Sequence, residues 1–461
     1  MRELTQIFGA ENVIGSGVLF DSALQDWRRR YRGKAEALIY PSSTAQVVQL
    51  VLFCRQHGFK IVPQGGNTSM CGAATPDQND RNILVNFKKM NKILECSASG
   101  FSMTVESGCS LAQVQDFAAK QDRLFPLMLT PRENVQIGGA VATNAGGLNV
   151  IKYGMMRNLT LGIEAVMADG SIWNNLYQLT KNNAGYDLKQ LLIGSEGTLG
   201  IITKVALKLF PLPKQRLVAI LAVDSFKNCL AALSSAQNEF GQQLSAFEYI
   251  SAPTWNLTHE YDASLIKPVR AAEHYILIQL ESLLPSPGIE SEFILAAKKW
   301  AGVLDCNATI DRHKAAQLWQ IRKSIPLAER QAGPSIKHDI SIPPNCWEEF
   351  LRAVPDKIRR QYPTSQIITM GHLGDGNLHF NVTLPGLTAD TLATIEPVIN
   401  DIVYAEITRL RGSISAEHGI GQLKGSYLKR LSDPNHYELL QKIKHALDPD
   451  NILNPGKIFI C

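Results

Sequence analysis

At 461 residues the chain is too long for one ordinary hydrophobic core, and its 45% hydrophobic composition can fill two or three lobes. With 46 Lys and Arg against 42 Asp and Glu, a net charge of +4 excludes the strongly basic face of a nucleic-acid-binding protein. Eight scattered cysteines with no CxxC pair, Cys461 among them, exclude a disulfide framework and read as reduced thiols.

The N-terminus lacks the apolar core of a signal peptide, and no apolar run is long enough to span a bilayer. A cytoplasmic chain is expected, with peripheral membrane attachment left open. The basic run Arg28-Arg29-Arg30, with Arg32 close by, reads as solvated surface or as a patch steering an anionic substrate. A short strand is expected from Ala37 to Tyr40, followed by helix-start chemistry at Pro41-Ser42-Ser43-Thr44 and an apolar-periodic run through Val47, Val48, Val51 and Leu52. Lys60-Ile61-Val62-Pro63, Ile83-Leu84-Val85 and Met103-Thr104-Val105-Glu106 are strand-like, and a helix is expected near 110–121. Strands at Ile163–Met167 and Gly200–Val205 flank a polar loop, and Pro211-Leu212-Pro213 makes a break. From 214 to 410, strand signals (Leu217 to Val223, Tyr275 to Leu280) alternate with helical ones (290–304, 313–330), as in a sheet covered on one face by helices. The Gly-rich loops of the final segment, 411–461, suggest a return to the first lobe, 1–213.

Three segments look built to let backbone approach a large anionic ligand. The first, Pro63-Gln64-Gly65-Gly66-Asn67-Thr68-Ser69, directly follows a predicted strand. Its adjacent glycines permit positive φ and an anion-binding nest, with hydroxyls at Thr68 and Ser69 as further donors. The second, residues 137–147, includes Gly138, Gly139, Thr143, Asn144, Gly146 and Gly147 and has almost no side-chain bulk. The third runs from Leu192 to Gly200 through Glu196 and Gly197 and leads into Ile201. One such loop alone is ordinarily a tight turn between strands; three of them, two carrying hydroxyl and amide donors, favour a cofactor. No GxGxxG opens a helix in an N-terminal βαβ unit, which disfavours a pyridine nucleotide.

PQGGNTS, IGGAVATNAGG with Lys152-Tyr153-Gly154 after it, LLIGSEGTLGIIT, and the closing Asp448-Pro449-Asp450-Asn451-Ile452-Leu453-Asn454-Pro455-Gly456-Lys457 resemble the FAD-linked 2-hydroxy-acid dehydrogenases of the vanillyl-alcohol-oxidase-type flavoprotein superfamily. The resemblance runs from about Tyr40 to Phe459. It implies an α+β protein: an FAD domain of two α+β subdomains, interrupted by a cap domain (214–410) on an antiparallel sheet, with 411–461 returning to the flavin. The three loops, Thr130 and Asn454 are the implied flavin contacts. Some superfamily members tether the flavin through a histidine in the first loop; Asn67 stands in that neighbourhood, so noncovalent FAD is expected, with Cys71 the alternative anchor.

In Met370-Gly371-His372-Leu373-Gly374-Asp375-Gly376-Asn377-Leu378-His379-Phe380-Asn381, the Asp-Gly pair predicts a two-residue hairpin turn. That register sets His372 directly opposite His379, close enough for two imidazoles to meet one ion, with Asn377, His379 and Asn381 on the polar face. A hydrogen-bonded structural pair is the other reading. Ser415-Ala416-Glu417-His418-Gly419 offers a carboxylate, and two His with one carboxylate suit zinc with an open position. The resemblance places His372, His379 and Glu417 on the family's metal ligands. A hydroxy acid must lose the C2 hydride to flavin and the hydroxyl proton to a base. His418 is the candidate base, with a supporting hydrogen bond as its plainer role. Two strand neighbours point apart, so Glu417 and His418 share a site only if the backbone turns there. Arg322 and Lys337 match the family's substrate-anchoring positions, Asn381 on the hairpin's polar face is a further candidate substrate contact, and Arg gives bidentate carboxylate binding; ordinary surface charge is the alternative.

The expected activity is oxidation of a D-2-hydroxy acid, D-2-hydroxyglutarate ahead of D-lactate, although Pro326 stands where some hydroxyglutarate-type members carry a hydroxyl residue. A glycolate oxidase flavin subunit, a flavin-dependent ether-lipid synthase and a zinc-binding non-redox protein are the rivals. The resemblance implies an electron acceptor such as electron-transfer flavoprotein or a quinone, and a homo-oligomer is permitted.

Overall fold

The computed structural model describes residues 2–78 and 81–460, and Cys461 lies outside them. The chain divides into two compact units: Met1–Gly147, Gly154–Leu212 and Glu417–Cys461 form one, and Leu148–Tyr153 with Pro213–Ala416 form the other. The fold is α+β. No helix among the described residues is long and apolar enough to cross a membrane.

The first unit holds a four-stranded sheet in the order Val13–Ile14, Ala37–Ile39, Asn82–Asn86, Lys60–Gln64, the last three parallel. Helix Thr44–His57 starts where the sequence predicts, with Ser43 accepting from the Gln46 amide. It buries Val47, Leu50, Val51 and Cys54 against Ile39, Ile61 and Val85 of the sheet. The C-terminal segment extends this sheet: Ile61 donates to Ile452 O at 2.7 Å, and Asn454 donates back to Ile61 O at 2.7 Å. A five-stranded antiparallel sheet follows in the order Ile93–Ser97, Ser102–Glu106, Ile201–Lys208, Thr160–Val166, Ile172–Asn175.

The second unit is built on a seven-stranded antiparallel sheet. Its order is Val303–Thr309, Gln215–Val223, His274–Ser282, Leu244–Ser251, Gln366–His372, Asn377–Thr383, Ser335–Ser341. Both faces carry helices, not the one face expected. Leu318, Ile321 and Ile325 of helix Arg312–Ala332 pack on Val218, Ile220 and Ile250. Phe226 of helix Phe226–Phe240 meets Tyr249, on the opposite side of the strand from Ile250, at 5.4 Å edge-on. Double cover explains why Leu244–Ser251 is buried at all eight positions and shows no clean alternation. The helix expected over 290–304 stops at Ala297, and Val303–Thr309 is a strand, because edge pairing with Gln215–Val223 overrides the helical spacing. No disulfide joins the described cysteines.

Candidate active site

In the first unit the predicted glycine loops lean on one another. Gly65 and Gly66 do not adopt positive φ; Asn67 does, at 53°, with its side chain donating to Gln25 O. What Gly66 supplies is close approach, since a Cβ there would lie 1.7 Å from the Asn134 carbonyl oxygen. Gly65 and Gly139 back onto each other, and a Cβ on Gly138 would lie 2.5 Å from the Ser107 Cβ. The stretch expected to be an open loop begins as a short helix, Ile137–Ala142. Gln64 is turned away into the protein, donating to Ala23 O and Ala74 O at 2.9 Å each, and Pro63 packs beneath Gly197. Ser69 Oγ accepts from the Ala73 amide, and Thr143 Oγ1 donates to Gly139 O. The amides of Gly66, Asn67 and Thr68 make no hydrogen bond to another described residue, and all three residues are partly exposed. Three consecutive unspent amides are what an anionic pyrophosphate needs. Buried, unpartnered oxygens on Gln136 and Asn454 add polar capacity.

The third loop is tied to the second and to the C-terminal segment. Gly194 and Glu196 donate their amides to Val141 O and Ala142 O, and Asn144 Oδ1 accepts from the Arg157 amide. Glu196 adopts φ 53°, and its carboxylate accepts from the amides of Ile420 at 2.6 Å and Gly421 at 2.8 Å. Burial pushes the Glu196 carboxyl pKa up, partly countered by those two amides. Asn454 Nδ2 donates to Glu196 O and Ala73 O. Cys71 is buried with its Sγ against Gly419 O at 3.4 Å. Gly146 and Gly147 are buried, Gly147 against Met128 O. Thr130 is exposed and precedes a cis bond to Pro131, and Ile201 buries its side chain in the core. Glu417 and His418 open this clamped segment, both partly exposed. Gly419 at φ 80° and Gly421 at φ 52° supply the turn that the pair requires.

In the second unit the hairpin register differs from expectation. His372 pairs with Asn377, and His379 pairs with Met370, so four residues link the strands where two were expected. The tip is bonded from both sides, Gly374 N to Phe247 O and Ile342 N to Gly376 O, and these tertiary bonds override the local Asp-Gly preference. The two histidines are therefore diagonal neighbours, yet their rings still meet edge-on at 5.5 Å. Registers across the sheet put Glu248 with His372, Asp339 with His379, and Lys337 with Asn381, all on one face.

Two acids that sequence reasoning missed organise that face. Glu248 is fully buried; its Oε1 lies 2.5 Å from His372 Nδ1, and its Oε2 accepts from Arg322 Nε at 3.0 Å. Burial alone would raise its pKa, but His372 and Arg322 together hold it below the usual carboxylate range. Asp339 accepts from Asn377 Nδ2 at 2.9 Å, lies 3.8 Å from His379 Nδ1, and accepts from the Ala416 amide at 3.2 Å. A charged residue inside an otherwise apolar strand, as in Ala246-Phe247-Glu248-Tyr249-Ile250, is the signal that was available. Arg322 makes no other hydrogen bond to a described residue, which leaves its Nη pair open. Lys337 is paired with buried Glu329 at 2.6 Å. Pro326 sits exposed inside helix Arg312–Ala332 and removes the amide that would bond the Arg322 carbonyl.

Residues 35–175 match the FAD binding domain, and residues 212–458 match the C-terminal domain of FAD linked oxidases. The chain therefore belongs to the FAD-linked oxidases and is an FAD-dependent oxidoreductase of the hydroxy-acid dehydrogenase type. It is 36% identical over 437 residues to the mitochondrial D-2-hydroxyglutarate dehydrogenase of Rattus norvegicus, covering 94% of this chain and 79% of the relative. The corresponding Arabidopsis thaliana protein is 35% identical over 98% of this chain and 80% of its own length. A D-2-hydroxyglutarate–pyruvate transhydrogenase of Saccharomyces cerevisiae is 32% identical, with 94% and 88% covered. Among solved structures, p-cresol methylhydroxylase shares the fold with a TM-score of 0.77 at 17% identity, over 100% of this chain and 96% of its own. The cytoplasmic location expected from the sequence is corrected by these relatives, whose names place the rat and Arabidopsis proteins in mitochondria.

Proposed function

We propose that the chain oxidises D-2-hydroxyglutarate to the 2-oxo acid, with noncovalent FAD held by the three glycine loops and a divalent ion, zinc by its donor set, held by His372, His379 and Glu417. The observation that carries the substrate side is the partly buried Arg322, oriented through Nε by the buried Glu248 with its terminal fork open for a carboxylate. Lys337 and Asn381 pair on the sheet face that carries Glu248, the partner of Arg322. Supporting the ion are the edge-on histidine pair and the bond from Ala416 to Asp339, one residue before Glu417. Among the described residues, Asp339, His379, Glu417 and His418 can offer ligand atoms, a group that includes two of the three proposed ligands but not His372. Bound FAD supplies the hydride acceptor, and an ion would supply Lewis acidity toward the substrate oxygens. The protein's own groups orient the carboxylate through Arg322 and take the hydroxyl proton at His418.

The test is anaerobic mixing with D- and L-2-hydroxy acids while flavin absorbance is followed. Bleaching should be fastest with D-2-hydroxyglutarate; faster bleaching by D-lactate at equal concentration would reverse the assignment. Acid precipitation should leave FAD in the supernatant. Flavin retained in the pellet would point to a covalent bond at Cys71.

A further inference from the structure

We propose that Glu248 is a positioning residue that orients two groups at once: the Arg322 fork toward the substrate carboxylate, and Nε2 of His372 toward the divalent ion. The inference rests on the substrate and metal assignments made above. A carboxylate in the middle of a fully buried strand is costly unless both oxygens are matched. Both are matched here, by partners from two other elements: Arg322 on helix Arg312–Ala332 and His372 at the end of strand Gln366–His372.

The chemistry of each contact fixes what the partner has left. A carboxylate can only accept, so His372 must carry its proton on Nδ1, and Nε2 is the nitrogen with a lone pair to offer an ion. Arg322 spends Nε on Glu248, which locks the guanidinium plane and leaves the two Nη groups as a bidentate fork. One buried acid thus sets a histidine tautomer and an arginine orientation together.

Glu248→Gln tests this with almost no change of shape. An amide can accept from Arg322 only by turning its NH2 toward His372, where Nδ1 must then accept and the proton moves to Nε2. Zinc affinity of the FAD-loaded protein, measured by competition with a chelator, should fall on the order of 10- to 100-fold. KM for D-2-hydroxyglutarate should rise, and FAD content should be unchanged because the glycine loops belong to the other unit. Two parallel variants separate this proposal from the reading beneath it: His379→Ala should lose the ion, and Arg322→Lys should raise KM. If those two are silent, the site assignment fails. If they respond while Glu248→Gln binds zinc and substrate as the wild type does, Glu248 is a structural ion partner only and the proposal is overturned. Should Glu248→Gln not fold, the double variant Glu248→Gln/Arg322→Gln, which leaves no unpaired buried cation, reports the zinc arm alone. Wild-type zinc affinity there overturns the proposal equally.

Discussion

His418→Asn is expected to slow flavin reduction by D-2-hydroxyglutarate on the order of 100- to 10,000-fold, the usual loss when a general base is removed, while FAD content stays at the wild-type level. The argument is positional. His418 immediately precedes Gly419, whose carbonyl meets Cys71 Sγ and whose next two amides are held by the Glu196 carboxylate. A Cβ on Gly419 would lie 2.5 Å from Glu196 Oε1, and one on Gly421 would lie 2.1 Å from Cys71 O, so the backbone has little room to drift. Asparagine keeps a polar side chain on that fixed backbone but cannot take the hydroxyl proton. Stopped-flow reduction, with FAD and metal analysis of the same sample, decides the matter. Ion loss in this variant would make His418 a ligand and leave the base unassigned; wild-type reduction would remove it from the chemistry.

Gly66→Ala should be nearly as damaging, through the cofactor. A single methyl there would land 1.7 Å from the Asn134 carbonyl, so the loop must move, and with it the three consecutive amides of residues 66–68. We expect FAD content to fall to a small fraction of wild type, with a lowered melting temperature. Gly65→Ala is the control. Its methyl would meet Gln136 Cβ and Gly139 Cα at 3.5 Å, ordinary contact, and the protein should stay yellow. Full FAD occupancy in Gly66→Ala would take this loop out of the pyrophosphate site.

The sequence was most informative where chemistry is local. Ser43 capping its helix and the strand leading into Gly65-Gly66 follow from residue types at short spacing, which neighbours in the chain enforce directly, whereas the fold class and the flavin segments were legible only through the resemblance of their motifs to a known family. The role of Gly66 was only half visible. Its identity marks a tight place, but whether that means a left-handed residue or a close backbone depends on Asn134, nearly seventy positions away. The hairpin is similar: Asp-Gly gave the turn, but bonds from Phe247 and Ile342 lengthened it and moved His379 from opposite His372 to the diagonal.

Glu248 and Asp339 could be found only in three dimensions. Nothing adjacent in sequence explains a carboxylate among Phe247, Tyr249 and Ile250; its partners Arg322 and His372 are 74 and 124 residues away. Glu196 carried a flavin signature in the sequence, and the structure spends its carboxylate on amides 224 and 225 positions further on. The types of reactive group were therefore written in the chain, because side-chain chemistry is intrinsic to each residue. Which buried charge each of them faces was decided by tertiary packing alone, because a charge inside a low-dielectric interior must find its partner wherever the fold brings one.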